Sequence, residues 1–349
     1  MLWVVEAWRG LAAWMVLWAH WGGALGWPMG PMAFAFTGVD LFFVLSGFVF
    51  APSILQRPPS SLAAYGMRRI CRIYPAYLTA LALYVALAWQ AGKPLLYLPE
   101  HLLMAHVQSR EMAFYYNPVF WSLPAEASFY VMVPVLGWLL SGRAPFQTAW
   151  RWTMVCVLAL AMRLALLHQA DGAAQNLPYV LLNHLPGLLT EFLMGVWVWR
   201  HWQSRPLTAP RASLLMGLAG LLGWLALAYL FIALETSGKE PDWRHGQLSL
   251  AAAACFAVML RASLHLRFTS LGNWVGQWGG RLSYSIYLLH MAWLGPALAW
   301  SATWGVMAGS ALAMFGLFCS CLVLHWTVEE PARQWGRSVA QRWERVVPA

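Results

Sequence analysis

Apolar residues run along this chain in blocks of about twenty, separated by short stretches where arginine, glycine and proline collect. A helix needs about 20 residues to cross a hydrocarbon core about 30 Å thick. Blocks of this kind lie at roughly 3–21, 32–52, 73–91, 119–140, 150–168, 178–200, 212–233, 246–263, 281–300 and 304–326. The pattern predicts an all-α protein, a polytopic transmembrane helical bundle of about ten spans. A shorter stretch at 96–108 carries Pro99, Glu100, His101 and His106, and reads as a re-entrant or interfacial helix. The first block follows MLWVVEAW, which has no positive charge, and no small-residue cleavage site comes after it. It is therefore expected to stay as a span and not to be removed as a signal peptide. With no repeat, low-complexity tract or long soluble insertion, residues 1–349 read as one transmembrane domain with a short cytoplasmic tail from about 329.

Composition agrees. Of 349 residues, 60% are apolar and 10% charged, against about 25% charged in a soluble domain. Mean hydropathy is +0.56. So little polar surface cannot coat the chain against water, and lipid must solvate most of it. The 24 Trp residues suit the membrane–water interface. The net charge of +9 would fit nucleic acid or anionic lipid, but the basic residues form short clusters between apolar blocks. They report topology. With the N-terminus in the cytoplasm and 96–108 not crossing, sixteen Lys and Arg fall in inner segments. Four fall outside (Lys93, Arg110, Lys239 and Arg244), while Arg9 and Arg163 lie within spans. That bias satisfies the positive-inside rule with both termini cytoplasmic. The cysteines (Cys71, Cys156, Cys255, Cys319, Cys321) show neither a disulfide framework nor a metal spacing. His101 and His106, at i and i+5, are poorly spaced to share a metal.

The polar residues inside apolar blocks are the candidates for chemistry, because ionisable groups cost free energy in hydrocarbon and usually face a cavity. Arg9 and His20 are eleven residues apart, which brings them within about 20° of one helix face, about 16 Å apart along the axis. A snorkelling Arg and an interfacial His would give the same pattern. Asp40, in GVDLFFVLSGF, and Glu126, in WSLPAEASFY, sit about two turns into their spans at a depth similar to His20. A carboxylate there would orient an imidazole and stabilise its charged form; a structural network is the alternative. Ser46 and Gly47 read as close helix packing. In RRICRIYP, Arg69 and Arg72 share a face that suits a diphosphate, with Arg68 beside them, although positive-inside orientation alone would also place them. Glu191 and Arg163 are expected to pair with each other or with the backbone. Tyr284, Tyr287 and His290 read as packing, and Glu329 and Glu330 as a cytoplasmic cap or salt bridge.

Taken in order, Arg9 with His20, GVDLFFVLSGF, RRICRIYP, WSLPAEASFY, TEFLMG, LSYSIYLLH and VEEPAR cover Arg9 to Arg333. The series resembles the integral-membrane acyltransferase 3 family, in its members without the additional esterase-like domain. That resemblance implies ten transmembrane helices and transfer of an acyl group, commonly acetyl, from cytoplasmic acyl-CoA. The acceptor would be a hydroxyl of a cell-surface or lipid-linked glycan or another sugar, and the location a bacterial inner membrane. It makes His20 the essential histidine, Arg9 its partner, and Arg69 and Arg72 the basic pair that engages CoA. Glu6 stands where an Asp often precedes the Arg. No metal is implied. The expected mechanism has His20, oriented by Asp40 or Glu126, deprotonating the acceptor hydroxyl. The rival reading is a multi-span transporter or flippase of a lipid-linked or anionic substrate, whose buried charges would bind substrate or protons. No pair of similar halves or matched broken helices supports it.

Overall fold

A computed structural model describes residues 3–141, 145–171, 175–204, 209–236, 242–266 and 269–346. The regular structure among them is helical: α1 (Trp3–Leu25), α2 (Gly38–Leu55), α3 (Leu62–Gln90), α4 (Leu98–Leu102), α5 (Arg110–Phe114), α6 (Ser122–Leu140), α7 (Pro145–Gln169), α8 (Leu177–Leu182), α9 (Leu185–Ser204), α10 (Pro210–Thr236), α11 (Asp242–Ser263), α12 (Ser270–Trp304), α13 (Val306–Leu324) and α14 (Glu330–Val346). A 3₁₀ segment, Gly30–Thr37, leads into α2, and one π-helical turn, His325–Glu329, joins α13 to α14. The ten apolar blocks correspond to α1, α2, α3, α6, α7, α9, α10, α11, α12 and α13.

Eight of the described stretches are long and apolar enough to cross a membrane. The other two, α1 and α12, have 23 and 35 residues, ample length, but their Trp, Gly, Ser and Arg lower the mean hydropathy. Element boundaries depart from the blocks for local reasons. Block 178–200 is two helices: Asn176 caps α8 by accepting from Tyr179 N at 3.0 Å, and the chain breaks at Asn183–His184 before α9. α3 begins well ahead of its block because Ser61 caps it, accepting from Ala64 N at 3.2 Å. Its arginine-rich start is thus the first turns of the same helix. Stretch 96–108 forms only the five-residue α4 and turns, too short to cross. Gly305 separates α12 from α13 at φ +83°, a conformation that favours glycine. Residues 306–345 make a rod of 40 residues, about 60 Å at 1.5 Å per residue and twice the hydrocarbon thickness, so α14 extends past the membrane core. Arg143, Arg205, Lys239 and Arg267, counted in the charge bias, lie outside the described residues, as does the side chain of Arg244.

The chain forms two compact units, residues 1–52 with 142–283 (unit 1) and residues 53–141 with 284–349 (unit 2). Helices in lipid gain nothing from excluding water from each other, so close backbone packing and hydrogen bonds must hold them. In unit 1, α2 and α9 touch through paired glycines. A Cβ on Gly47 would lie 1.8 Å from Phe192 O, and one on Gly195 would lie 1.8 Å from Val44 O. In the same way α1 meets α12 at Gly10 and Gly279, where a Cβ on Gly10 would come within 2.9 Å of backbone. The close packing expected at Gly47 is what the structure shows. Unit 2 relies more on tyrosine hydroxyls and amides. Tyr84 donates to Leu288 O at 2.9 Å and accepts from Ala292 N at 3.0 Å, while Asn117 donates to Leu288 O at 3.1 Å.

The glycine contact gives a paired test. Gly195→Ala forces backbone apart and is expected to cost at least the about 1–3 kcal/mol typical of an overpacked core. Gly23→Ala, where no atom lies within 4 Å of the new methyl, should leave stability unchanged. Thermal unfolding of the purified protein followed by tryptophan fluorescence separates them; equal melting temperatures would refute the contact.

Candidate active site

In unit 1, α1 presents Arg9 and His20 on one face, both half-buried. The Gly10–Gly279 contact lies one residue from Arg9. His20 Nδ1 is 2.7 Å from Val16 O. A carbonyl can only accept, so Nδ1 carries the proton and Nε2 the lone pair. The preceding turn of the helix thereby selects the tautomer that serves as a base through Nε2.

Asp40 lies buried in the first turn of α2, with its carboxyl against that of Glu191 on α9. Two carboxyls buried this close together away from water need a cation beside them. Arg163 on α7 completes the group. Its Nη2 is 3.3 Å from Glu191 Oε1 and donates to Gly246 O at 2.9 Å, and its Nη1 donates to Gly187 O at 2.8 Å. Arg163 and Glu191 thus pair with each other, and Arg163 also with the backbone. What the sequence did not reveal is that Asp40 belongs with them.

Unit 2 gathers the arginine motif. Arg69 and Arg72 are three residues apart on α3, and the Arg69 guanidinium lies 5.7 Å from the Tyr65 ring and 5.8 Å from the Tyr130 ring. Tyr65 donates to Tyr130 O at 2.9 Å, and Tyr130 donates to Glu126 Oε1. Glu126 therefore fixes a ring on which Arg69 rests. Stacking on rings leaves the edge of a guanidinium able to meet phosphate oxygens. Arg68 points elsewhere, into an ion pair of 2.8 Å with Glu344 on α14.

Sequence reading missed a second buried group in unit 2. Glu329 is 3% exposed. It accepts from Ser285 Oγ and lies 3.3 Å from His325 Nδ1. Only Glu330 forms the expected salt bridges, to Arg333 at 3.4 Å and Arg337 at 2.9 Å. The intervening π turn widens the helix by a residue and sends the two adjacent glutamates to different surroundings, which VEEPAR alone cannot disclose. Tyr287 hydrogen-bonds Ser122 Oγ at 2.6 Å and Val119 O at 2.8 Å, and His290 Nδ1 is 2.9 Å from Tyr287 O; both serve packing. His101 and His106 stack with centroids 4.2 Å apart. Among the described residues, no three His, Cys, Asp or Glu side chains are placed to hold a metal ion.

Unit 1 also contains an apolar cavity of about 710 Å³ between α1, α10 and α11, reached by Trp8, Leu11 and Met15 of α1. These three lie about 100–160° around the helix from Arg9, so the cavity is not on the Arg9–His20 face. At one end, Arg261 Nη1 donates to His265 Nε2 at 3.0 Å; burial, then the adjacent guanidinium, lowers the His265 pKa.

The Asp40–Glu191–Arg163 group predicts an asymmetry. Arg163→Met leaves two carboxyls buried without their cation and should cost about 3–5 kcal/mol. Glu191→Gln, which keeps the shape of the side chain, leaves Asp40 in place and removes one charge, should cost much less. Melting temperatures of the two variants check this, and an Arg163→Met protein as stable as the parent would contradict it.

Comparison with known proteins identifies the family. Residues 3–329 match the family model described as an acyltransferase domain, of the acyltransferase 3 type. The chain is 28% identical over 314 residues to BcsY of Komagataeibacter xylinus, described as a membrane-bound transacylase; the match covers 84% of this chain and 73% of that one. It is 25% identical over 329 residues to the acyltransferase MdmB of Streptomyces mycarofaciens, covering 84% and 79%. No solved structure matches. A match over nearly the whole length of a helical membrane protein establishes the identity: this chain belongs to the acyltransferase 3 family of integral-membrane acyltransferases.

Proposed function

We propose that this acyltransferase moves an acyl group, acetyl in the simplest case, from cytoplasmic acyl-CoA to a hydroxyl of a cell-surface or lipid-linked glycan or another sugar-containing acceptor. The enzyme would sit in a bacterial inner membrane with both termini in the cytoplasm. The observation that carries the reading is the His20 tautomer. A half-buried imidazole, its Nδ1–H tied to Val16 O, offers Nε2 as a base on the face it shares with Arg9.

The reading gives the two units separate tasks. In unit 2, Arg69 and Arg72 hold the diphosphate of CoA, and Glu126 acts through Tyr130 to keep the Arg69 guanidinium in place. In unit 1, His20 Nε2 takes the proton of the acceptor hydroxyl as its oxygen attacks the thioester carbonyl. The C–S bond breaks, and the CoA thiolate leaves with the proton returned by the imidazolium. Arg9, about 16 Å from His20 along the helix axis, steers the polar arm of the donor. Asp40, engaged by Glu191, is given electrostatic and positioning work in this scheme; the base is His20. The lipid-solvated helices exclude water that would otherwise hydrolyse the thioester.

Two measurements test this with labelled acetyl-CoA and purified protein. His20→Ala should lower kcat by about 10²–10⁴-fold, the usual contribution of a general base, with its melting temperature unchanged. Glu126→Gln should raise KM for the donor more than it lowers kcat. Full activity in His20→Ala would remove the imidazole from the chemistry.

A further inference from the structure

The apolar cavity of about 710 Å³ in unit 1 lies off the Arg9–His20 face, and its shape follows from the residues around it. Its wall on α10 runs from Pro210 to Trp224, about 21 Å at 1.5 Å per residue. Its walls on α1 (Trp8 to Met15) and α11 (Phe256 to Ser263) are each about 10 Å long. One leaflet of a hydrocarbon core is about 15 Å deep. The cavity therefore has the depth of one leaflet.

Gly217 makes the room, because α10 carries no side chain there and an added Cβ would meet only Ala262 Cβ, at 3.7 Å. The inner end is closed. Trp224 and Phe256 are buried with ring centroids 6.4 Å apart, and Trp224 Nε1 donates to Thr37 Oγ1 at 3.1 Å. One side opens toward the bilayer. Leu214, Leu218 and Leu221, at i, i+4 and i+7 on α10, are 63%, 44% and 44% exposed. In lipid an apolar opening of this kind admits a chain, since an unfilled one forfeits the dispersion contacts of its lining.

The opposite end is polar. Trp8 Nε1 donates to Ser263 Oγ at 2.8 Å, and His265 lines the cavity two residues further on. Arg261 Nη1 donates to His265 Nε2 at 3.0 Å, which puts the ring proton on Nδ1 and a guanidinium beside the imidazole. Arg211, exposed, follows Pro210 at the start of α10. The described carboxylates of unit 1 lie elsewhere. Asp40 and Glu191 are with Arg163, and Asp171 is beyond the end of α7. Glu6 lies against Gly280 of α12, about 160° around α1 from Trp8. A chain that leaves the bilayer for the cavity passes from one apolar medium to another, so the walls accept a lipid without choosing it. The choice falls to the charged end, where basic side chains attract anionic headgroups.

We propose that the cavity binds one phospholipid with an anionic headgroup. One acyl chain lies along Gly217 with its terminus toward Trp224 and Phe256, and the phosphate sits at the Arg261–His265 end. In the topology proposed above this lipid belongs to the cytoplasmic leaflet. The site is independent of the acyl-transfer scheme.

The experiment is mass spectrometry of the intact full-length protein, released from nanodiscs that hold equal amounts of phosphatidylglycerol and phosphatidylcholine with the same chains. The unmodified protein should retain one lipid, with phosphatidylglycerol favoured about 5- to 30-fold, the range for one or two basic side chains near an anionic headgroup. Gly217→Phe, which puts a ring where the chain lies, should lose that lipid. Leu222→Phe, on the exposed side of the same helix and outside the cavity, should keep it. Arg211→Gln together with Arg261→Gln should retain a lipid of either kind without preference. Melting temperatures report whether the variants fold, and the lipid retained by the unmodified protein is a test that needs no variant. No retained lipid, equal retention of the two lipids by the unmodified protein, or retention unaffected by Gly217→Phe would each overturn the proposal. So would displacement of the lipid by palmitoyl-CoA, which assigns the cavity to the acyl chain of a donor instead.

Discussion

A guanidinium in hydrocarbon needs partners for its charge, and Arg163 finds them for both terminal nitrogens by drawing on several helices at once. From α7 it reaches a carbonyl at the start of α9, a carbonyl in α11 and the carboxylate of Glu191, which in turn leans on Asp40 of α2. No other polar contact described in unit 1 joins four helices. Lipid gives such helices little reason to prefer one arrangement over another, so a cation that needs partners from each of them selects the arrangement. The glycine crossings then let the backbones approach to the distance that the polar group requires.

The sequence made the helical architecture plain because block length and charge bias are properties of a chain dissolved in lipid, whatever its tertiary contacts. Boundaries were less legible. Ser61 starts α3 early and Asn183–His184 splits a block that looks continuous, both through local hydrogen bonding that hydropathy does not register. For the candidate site, Arg9, His20, Arg69 and Arg72 were readable from helical spacing, since each pair shares one helix. Asp40 with Glu191, Glu126 with Tyr130 beneath Arg69, and Glu329 with Ser285 were harder. The first and last of these need the packing of distant segments. Glu126 and Tyr130 are a turn apart, yet only the fold places Arg69 over the ring.

The carboxylates of the helices divide by what they hold. Glu191 answers a cation, Glu126 fixes a phenol, and Glu329 accepts from a serine. Each has a polar partner. His20 commits one ring nitrogen to its own helix, through Val16 O.

The π turn between α13 and α14 has a mechanical corollary. The two helices and the turn form an unbroken rod, so α14 has no hinge through which to adjust its azimuth independently of α13. Losing the one extra residue of that turn would rotate everything downstream by about 100°, carrying Gly336 away from Cys71 and Glu344 away from Arg68. Five residues of unusual winding thus act as the phase key of the C-terminal helix.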